Sequence, residues 1–263
     1  MSYLLETHLH TARVSKCAVS TGAEYIVPYI DKGYRGIIVT DHFFNANCAV
    51  SKKLPWKEWV NQFCRGYEEA KEEGDKRGLD VFFGWEETFE SCDDYLVYGL
   101  DKEWLLDHPE VRTWTRGEQY RAVKEAGGCV VQAHPFRQRW YISKVVLSSG
   151  CVDAVEAANG GNDDITFDAL AWHYAKRNGK PVTAGSDIHD VCAVYNNNIF
   201  GIYLDKKPEN INDIVKAVCN NEIAGLTADR WRFDLFGDEN VASPVEIRDK
   251  NDNVISSNWR NYI

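Results

Sequence analysis

The chain of 263 residues carries 40 Asp and Glu against 30 Lys and Arg, a formal net charge of −10, with 44% hydrophobic and 13% aromatic residues. This balance excludes a surface built to grip a long nucleic-acid backbone, whose affinity comes from clustered Lys and Arg, and no run approaches the ~18 consecutive apolar residues of a membrane-spanning helix. The apolar fraction suffices for one barrel-sized core, so a single domain over residues 1–263 is expected.

The opening residues lack a basic segment followed by an apolar one. The eight cysteines include no Cys-x-x-Cys pair and read as free thiols, not as a disulfide framework or a cysteine zinc site. A cytoplasmic location is expected.

Along the chain, the first strand-like stretch carries His8 and His10, two residues apart and therefore on one face of an extended backbone. Residues 13–20 read as a loop. Thr21 opens a helix that stops at Gly33, and the apolar run 35–40 ends on Asp41-His42. A run apolar on both faces suits a parallel strand covered by helices. Trp56, Trp59, Val60, Phe63, Tyr67 and Ala70 follow helical spacing, which predicts one long amphipathic helix from about Pro55 to Arg77 with its aromatic stripe in the core.

The rhythm then repeats. Residues 80–85 lead into Glu86-Glu87, residues 95–100 form a further strand, and a helix over 116–126 feeds the strand 129–133, which delivers His134 and Arg137. A strand over 152–156 precedes a helix over 165–178, and residues 181–185 lead into Asp187-x-His189. A strand over 199–204 and a helix from about Glu209 to Asn221 follow. Polar residues closing successive strands mark an α/β fold of the β/α-barrel kind, with its active groups on the loops after the strand ends. Residues 245–248 and 254–256 flank a polar tip and read as a hairpin in a C-terminal extension spanning 229–263.

Five of the seven histidines, His8, His10, His42, His134 and His189, end or closely follow strand-like runs, whereas His108 and His173 do not. Imidazoles and carboxylates gathered without thiolates suit zinc, manganese or iron better than calcium or magnesium. So many ligands imply two or three divalent ions sharing a bridging carboxylate.

The ordered set His8-x-His10, Asp41-His42, Glu86, His134-Pro135 and Asp187-x-His189 resembles the PHP (polymerase and histidinol phosphatase) superfamily, in a small stand-alone member, over about residues 3–205. The resemblance implies a distorted (β/α)7 TIM-like barrel with a metal cluster at the C-terminal rim of its strands, and phosphoester hydrolysis. It implies one metal site of His8, His10, Glu86 and Asp187, and a second in which Glu86 bridges to His134. The second site places Asp94 where the family has a histidine. A third site pairs His42 with His189, and its remaining family ligand, an Asp or His, has no counterpart in Val14-Ser15-Lys16-Cys17. Lys16 would set a positive charge near that vacancy and weaken or abolish the third ion.

The chemistry so implied is attack by a metal-bound hydroxide on a small phosphomonoester, a metabolite or a nucleotide. Arg137, able to hold a phosphate bidentately, joins Asp41 as a catalytic candidate, with Asp41 orienting a water or a histidine. Arg13, Lys16 and Asn159 join Arg137 as substrate-binding candidates, and Glu156 is left open between rim carboxylate and polar punctuation. Histidinol phosphate or a short oligonucleotide are alternative substrates. A metal-dependent amidohydrolase and a non-catalytic metal-binding scaffold are the other readings. Neither a membrane nor a long nucleic acid is expected as partner, and oligomeric state is unreadable.

Overall fold

A computed structural model describes residues 2–196 and 199–263. Twelve strands occur among them: β1 (Tyr3–Leu9), β2 (Gly36–Val39), β3 (Asp80–Thr88), β4 (Asp94–Tyr98), β5 (Cys129–Gln132), β6 (Val145–Leu147), β7 (Ala154–Asn159), β8 (Val182–Gly185), β9 (Ile202–Leu204), β10 (Gly225–Leu226), β11 (Val245–Arg248) and β12 (Val254–Ser256). Nine form one sheet in the order β10-β9-β1-β2-β3-β4-β5-β7-β8. β1, β2 and β3 run parallel, as do β5, β7 and β8, whereas β4 lies antiparallel between β3 and β5.

The sheet closes on itself where Leu9 bridges in parallel to Ile188, just past β8. Seven strands from β1 to β8, without β6, thus make a barrel with one reversed strand. β9 pairs antiparallel with the first residues of β1 and carries β10 outward. The α/β barrel expected from the strand rhythm, with the distortion that the resemblance implied, is the fold observed.

Helices cover the barrel because the central strands are apolar on both faces; β2 and β5 are buried along their whole length. Helix α1 (Gly22–Asp31) starts at a reciprocal capping box in which Thr21 and Glu24 satisfy each other's backbone donors. The single helix predicted for residues 55–77 is instead two, α2 (Trp56–Phe63) and α3 (Arg65–Arg77). They meet at Cys64, whose ψ of −6° leaves the regular helical value. The hydrogen-bond ladder nevertheless runs on, from Cys64 N–H to Val60 O and from Glu68 N–H to Cys64 O. Trp56, Trp59 and Phe63 stack in sequence and, with Phe43 and Trp85, form an aromatic core against β3.

Residues 245–256 form the antiparallel pair β11–β12, and β11 also runs parallel to β6. The segment 229–263 is thereby fastened to the loop after β5, and Phe233, Val245, Ile247 and Trp259 join one core with Leu147, Leu170 and Tyr174. Among the described residues no helix is long and apolar enough to cross a membrane.

Candidate metal centre

The strand ends are held in register by main-chain bonds that continue past the regular strands. His10 N–H donates to Ile188 O at 3.0 Å, Glu86 N–H to Asp41 O at 3.1 Å and Phe43 N–H to Glu86 O at 2.8 Å. Those bonds bring four separate stretches, 8–10, 41–43, 86 and 187–189, to one rim. Gly185 permits the closest approach, since a Cβ there would lie 2.5 Å from His8 Cβ and 2.6 Å from Glu156 Oε1. His134 and Asp187, the residues just beyond β5 and β8, carry positive φ of 27° and 52°. That region is costly for a residue with a Cβ and is characteristic of functional sites.

The side chains converge. His8 Nε2 lies 3.1 Å from His10 Nε2, 3.2 Å from Glu86 Oε1 and 3.5 Å from Asp187 Oδ1. His10 Nε2 lies 3.1 Å from Asp187 Oδ1. Glu86 is central: His134 Nε2 is 3.3 Å from Oε1 and His42 Nδ1 is 2.6 Å from Oε2. Asp94 Oδ2 stands 3.8 Å from His134 Nε2. Glu87 is buried but outside the cluster, because alternation along β3 turns it to the other face; burial pushes its carboxyl up to about 8.

The electrostatics suit a cation. Burial raises the carboxyls of Glu86 and Asp187, yet the His8 charge and, with it, His42 for Glu86 and Arg137 for Asp187 hold both well below the usual range. Burial keeps His10 and His134 below the ordinary imidazole value. Asp94 is driven up by burial and by the Glu86 charge beside it. Against the effect of burial, Glu156, Asp187 and Glu86 raise His8, and Glu86 raises His42, well above the ordinary imidazole value, so the carboxylates hold protons on these rings that a metal ion would displace. The donor set fits divalent ions: His8, His10 and Asp187, then Glu86, Asp94 and His134, then His10, His42 and His189, each bring one ligand atom apiece within 4.8 Å of the others. His42 Nδ1 lies 2.6 Å from Glu86 Oε2, so this carboxylate also fixes the His42 ring.

A second layer of side chains fixes the ligands. Glu156 Oε1 accepts from His8 Nδ1 at 3.0 Å, and its Oε2 accepts from His134 N–H at 3.1 Å and Asn159 Nδ2 at 2.7 Å. Of the two readings left open for Glu156, this carboxylate orients histidines. Asp41 does not reach the ligand cluster. It accepts from Thr11 N–H, Thr11 Oγ1 and Ser15 Oγ at 2.6–2.7 Å, and Ser15 Oγ lies 3.3 Å from His10 Nδ1. Asp41 is therefore a positioning residue for the first loop and, through Ser15, for His10.

Arg137 is buried, and its guanidinium binds Asn162 Oδ1 through Nε, Asp187 Oδ2 through Nη1 at 2.6 Å and Asn159 Oδ1 through Nη2 at 2.5 Å. Asn159 thus serves Arg137 and Glu156. Three of the five guanidinium N–H groups are engaged, and the other two remain for a ligand.

The rim opens into a cleft of about 830 Å³ walled by His42, Glu86, Asp94, His134, Arg137 and Asp187, with Arg139, Trp140 and Tyr141 at its lip. Arg13 and Lys16, substrate-binding candidates from the sequence, do not line it. Arg13 pairs with Glu69 at 2.8 Å on the surface. Lys16 is exposed, and the side chain that turns to the histidines is its neighbour Cys17, with Sγ 3.1 Å from His42 Nε2. Burial raises this thiol, but hydrogen bonds with His189 and His42 outweigh it and bring it down to about 6. His108 and His173 each hydrogen-bond a main-chain carbonyl outside the cluster. Cys17 and Arg139 escaped the sequence reading; the only signal for Cys17 was its place seven residues after His10 in the loop where a ligand was sought.

No family model and no curated protein matches the sequence. Solved structures do resemble it. One is a two-domain protein from Bacteroides vulgatus containing a predicted PHP-like metal-dependent phosphoesterase, at 15% identity and TM-score 0.61, over 85% of this chain and 64% of that one. Another is PsfC from Pseudomonas syringae, at 14% and 0.54, over 88% and 93%. A third is the lesion-specific endonuclease PfuEndoQ from Pyrococcus furiosus, at 13% and 0.53, over 84% and 56%. The chain therefore spans less than two thirds of the first and third of these proteins. At such identities the likeness is one of fold, which this chain shares with these three proteins.

Proposed function

We propose that the protein is a metal-dependent phosphoesterase of the PHP superfamily that hydrolyses a phosphomonoester of a small metabolite or nucleotide. The observation that carries this reading is the convergence of His8, His10, His42 and His134, each with a ring nitrogen 2.6–3.9 Å from a carboxylate oxygen of Glu86 or Asp187. Two or three divalent ions of zinc, manganese or iron in such a set supply a water of lowered pKa and polarise a phosphoryl oxygen.

The protein's own groups do the rest. Glu156 and the Asp41–Ser15 pair fix the rings of His8 and His10, so the ligand atoms need not reorganise when substrate arrives. Arg137 holds Asp187 in place and keeps two N–H groups for the equatorial phosphoryl oxygens as charge builds on them. A cleft of about 830 Å³ lies in the range of small-ligand sites. Trp140, 95% exposed, and Tyr141 at its lip offer apolar faces to a leaving group. The net charge of −10 disfavours a long polyanion as substrate.

Phosphate release from p-nitrophenyl phosphate, nucleoside monophosphates, histidinol phosphate and short oligonucleotides, by chelated protein with each metal restored, tests the reading. Turnover of a monoester that appears only with metal supports it. Metal binding without turnover of any of them favours the scaffold instead, and cleavage of the oligonucleotides alone makes the enzyme a phosphodiesterase.

A further inference from the structure

The loop after β1 places a thiol where the resemblance asks for an oxygen or nitrogen ligand. Cys17 Sγ sits 3.1 Å from His42 Nε2, and Cys17, His42 and His189 line the same cleft. The imidazoles of His10, His42 and His189 bring their nitrogens within 4.8 Å of one another. His189 is oriented for this, because its Nδ1 donates to Asp187 O at 2.9 Å and leaves Nε2 free. On the far side of His42, its Nδ1 stands 2.6 Å from Glu86 Oε2, which accepts the ring N–H there and leaves Nε2 for a metal.

From Zn–S and Zn–N bonds of about 2.3 and 2.0 Å at a tetrahedral angle, the sulfur and nitrogen of two co-ligands stand roughly 3.5 Å apart. The observed separation is within half an ångström of that value. Cys17 also lines the cleft, so an ion held there would keep an open face toward substrate.

We infer that Cys17, His42 and His189 form a third metal site with one thiolate ligand, and that this site selects zinc or another thiophilic ion over manganese. The inference rests on the metal-centre reading above. The selectivity follows from ligand softness: a thiolate binds zinc, cobalt(II) and iron far better than manganese, which an Asp or His in its place would admit more readily. Binding exchanges the thiol proton for the metal–sulfur bond, the proton passing to solvent, with no change of oxidation state. Lys16 is no obstacle, since its side chain lies outside the cleft wall.

The test uses the whole protein, stripped of metal and titrated with cobalt(II) or zinc. Cobalt should produce a near-ultraviolet thiolate-to-metal absorption that is lost in Cys17→Ala. Zinc should slow alkylation of Cys17, followed by peptide mass spectrometry, on the order of tenfold or more. Cys192, the other exposed cysteine, serves as control and should react at an unchanged rate. Cys17→Ala should bind one equivalent of zinc fewer than the parent, and Cys17→His should regain it without the absorption band. Metal uptake with no thiolate band and unprotected Cys17 overturns the inference while leaving the metal centre intact. No metal uptake by the parent protein overturns both.

Discussion

Glu156→Gln is the substitution that most sharply separates a ligand cluster from a mere group of buried polar residues. The carboxylate accepts three N–H groups, from His8 Nδ1 on one oxygen and from His134 N–H and Asn159 Nδ2 on the other. A carboxamide has one oxygen. If that oxygen keeps the two donors, the new NH2 faces His8 Nδ1, which must then become an acceptor and move its proton to Nε2. That nitrogen is the one 3.1–3.5 Å from His10, Glu86 and Asp187.

The variant therefore exchanges a charge-assisted hydrogen bond for a neutral one, a loss of about 1 kcal/mol, and presents a protonated nitrogen where a ligand is needed. A ten- to hundredfold loss of metal affinity, about 1.4–2.7 kcal/mol, is expected from removing such an orienting carboxylate. Competition with a calibrated chelator measures the affinity, and nitrogen chemical shifts of the His8 ring report the tautomer. A folded Glu156→Gln protein that binds zinc as tightly as the parent, with His8 Nδ1 still protonated, would refute the reasoning.

His10→Ala and Asp187→Ala should each abolish phosphate release with circular dichroism unchanged, since both residues are proposed ligands and neither carries the core. Arg137→Lys should lower kcat/KM by on the order of ten- to hundredfold, because a point charge replaces a fork that holds Asp187 while facing the substrate, and steady-state kinetics report it. Chelation should lower Tm by on the order of 10 °C if free metal exceeds Kd about a thousandfold, read by calorimetry. Glu87→Gln should stabilise the protein increasingly as pH rises from about 4.5 to about 8. Its folded-state carboxyl, pushed up to about 8, is protonated where the unfolded one is ionised, so the parent loses stability across that window, by up to about 3 kcal/mol at neutral pH. Denaturant titrations at pH 5 and pH 8 would measure the widening gap.

The strand ends were legible because each combines an apolar run with an abrupt polar residue, and only a parallel strand buried on both faces produces that pattern repeatedly. His8, His10, His42, Glu86, His134 and Asp187 were all found in this way. The side chains around them were not, because their roles depend on which way a loop turns. Thr11 and Ser15 close the first loop onto Asp41, and that closure, invisible in local sequence, puts Cys17 rather than Lys16 against His42. Asp41 reads as a rim carboxylate by position but is occupied by the loop it holds. The β11–β12 pair announces itself by a polar tip between two short apolar runs, whereas the pairing of β11 with β6 joins residues about a hundred positions apart and leaves no local trace. The split of α2 from α3 at Cys64 lies within an unbroken apolar stripe, where periodicity alone gives no warning.

The central claim, that ligands gathered from the barrel's rim hold the ions that carry out hydrolysis, is tested most directly by following bound zinc and phosphate release together as metal is returned to the chelated protein. Turnover should be absent without metal and rise in step with the ions bound until at least two per chain are in place. Release of phosphate that persists after chelation, or that stays flat while the sites fill, would contradict it.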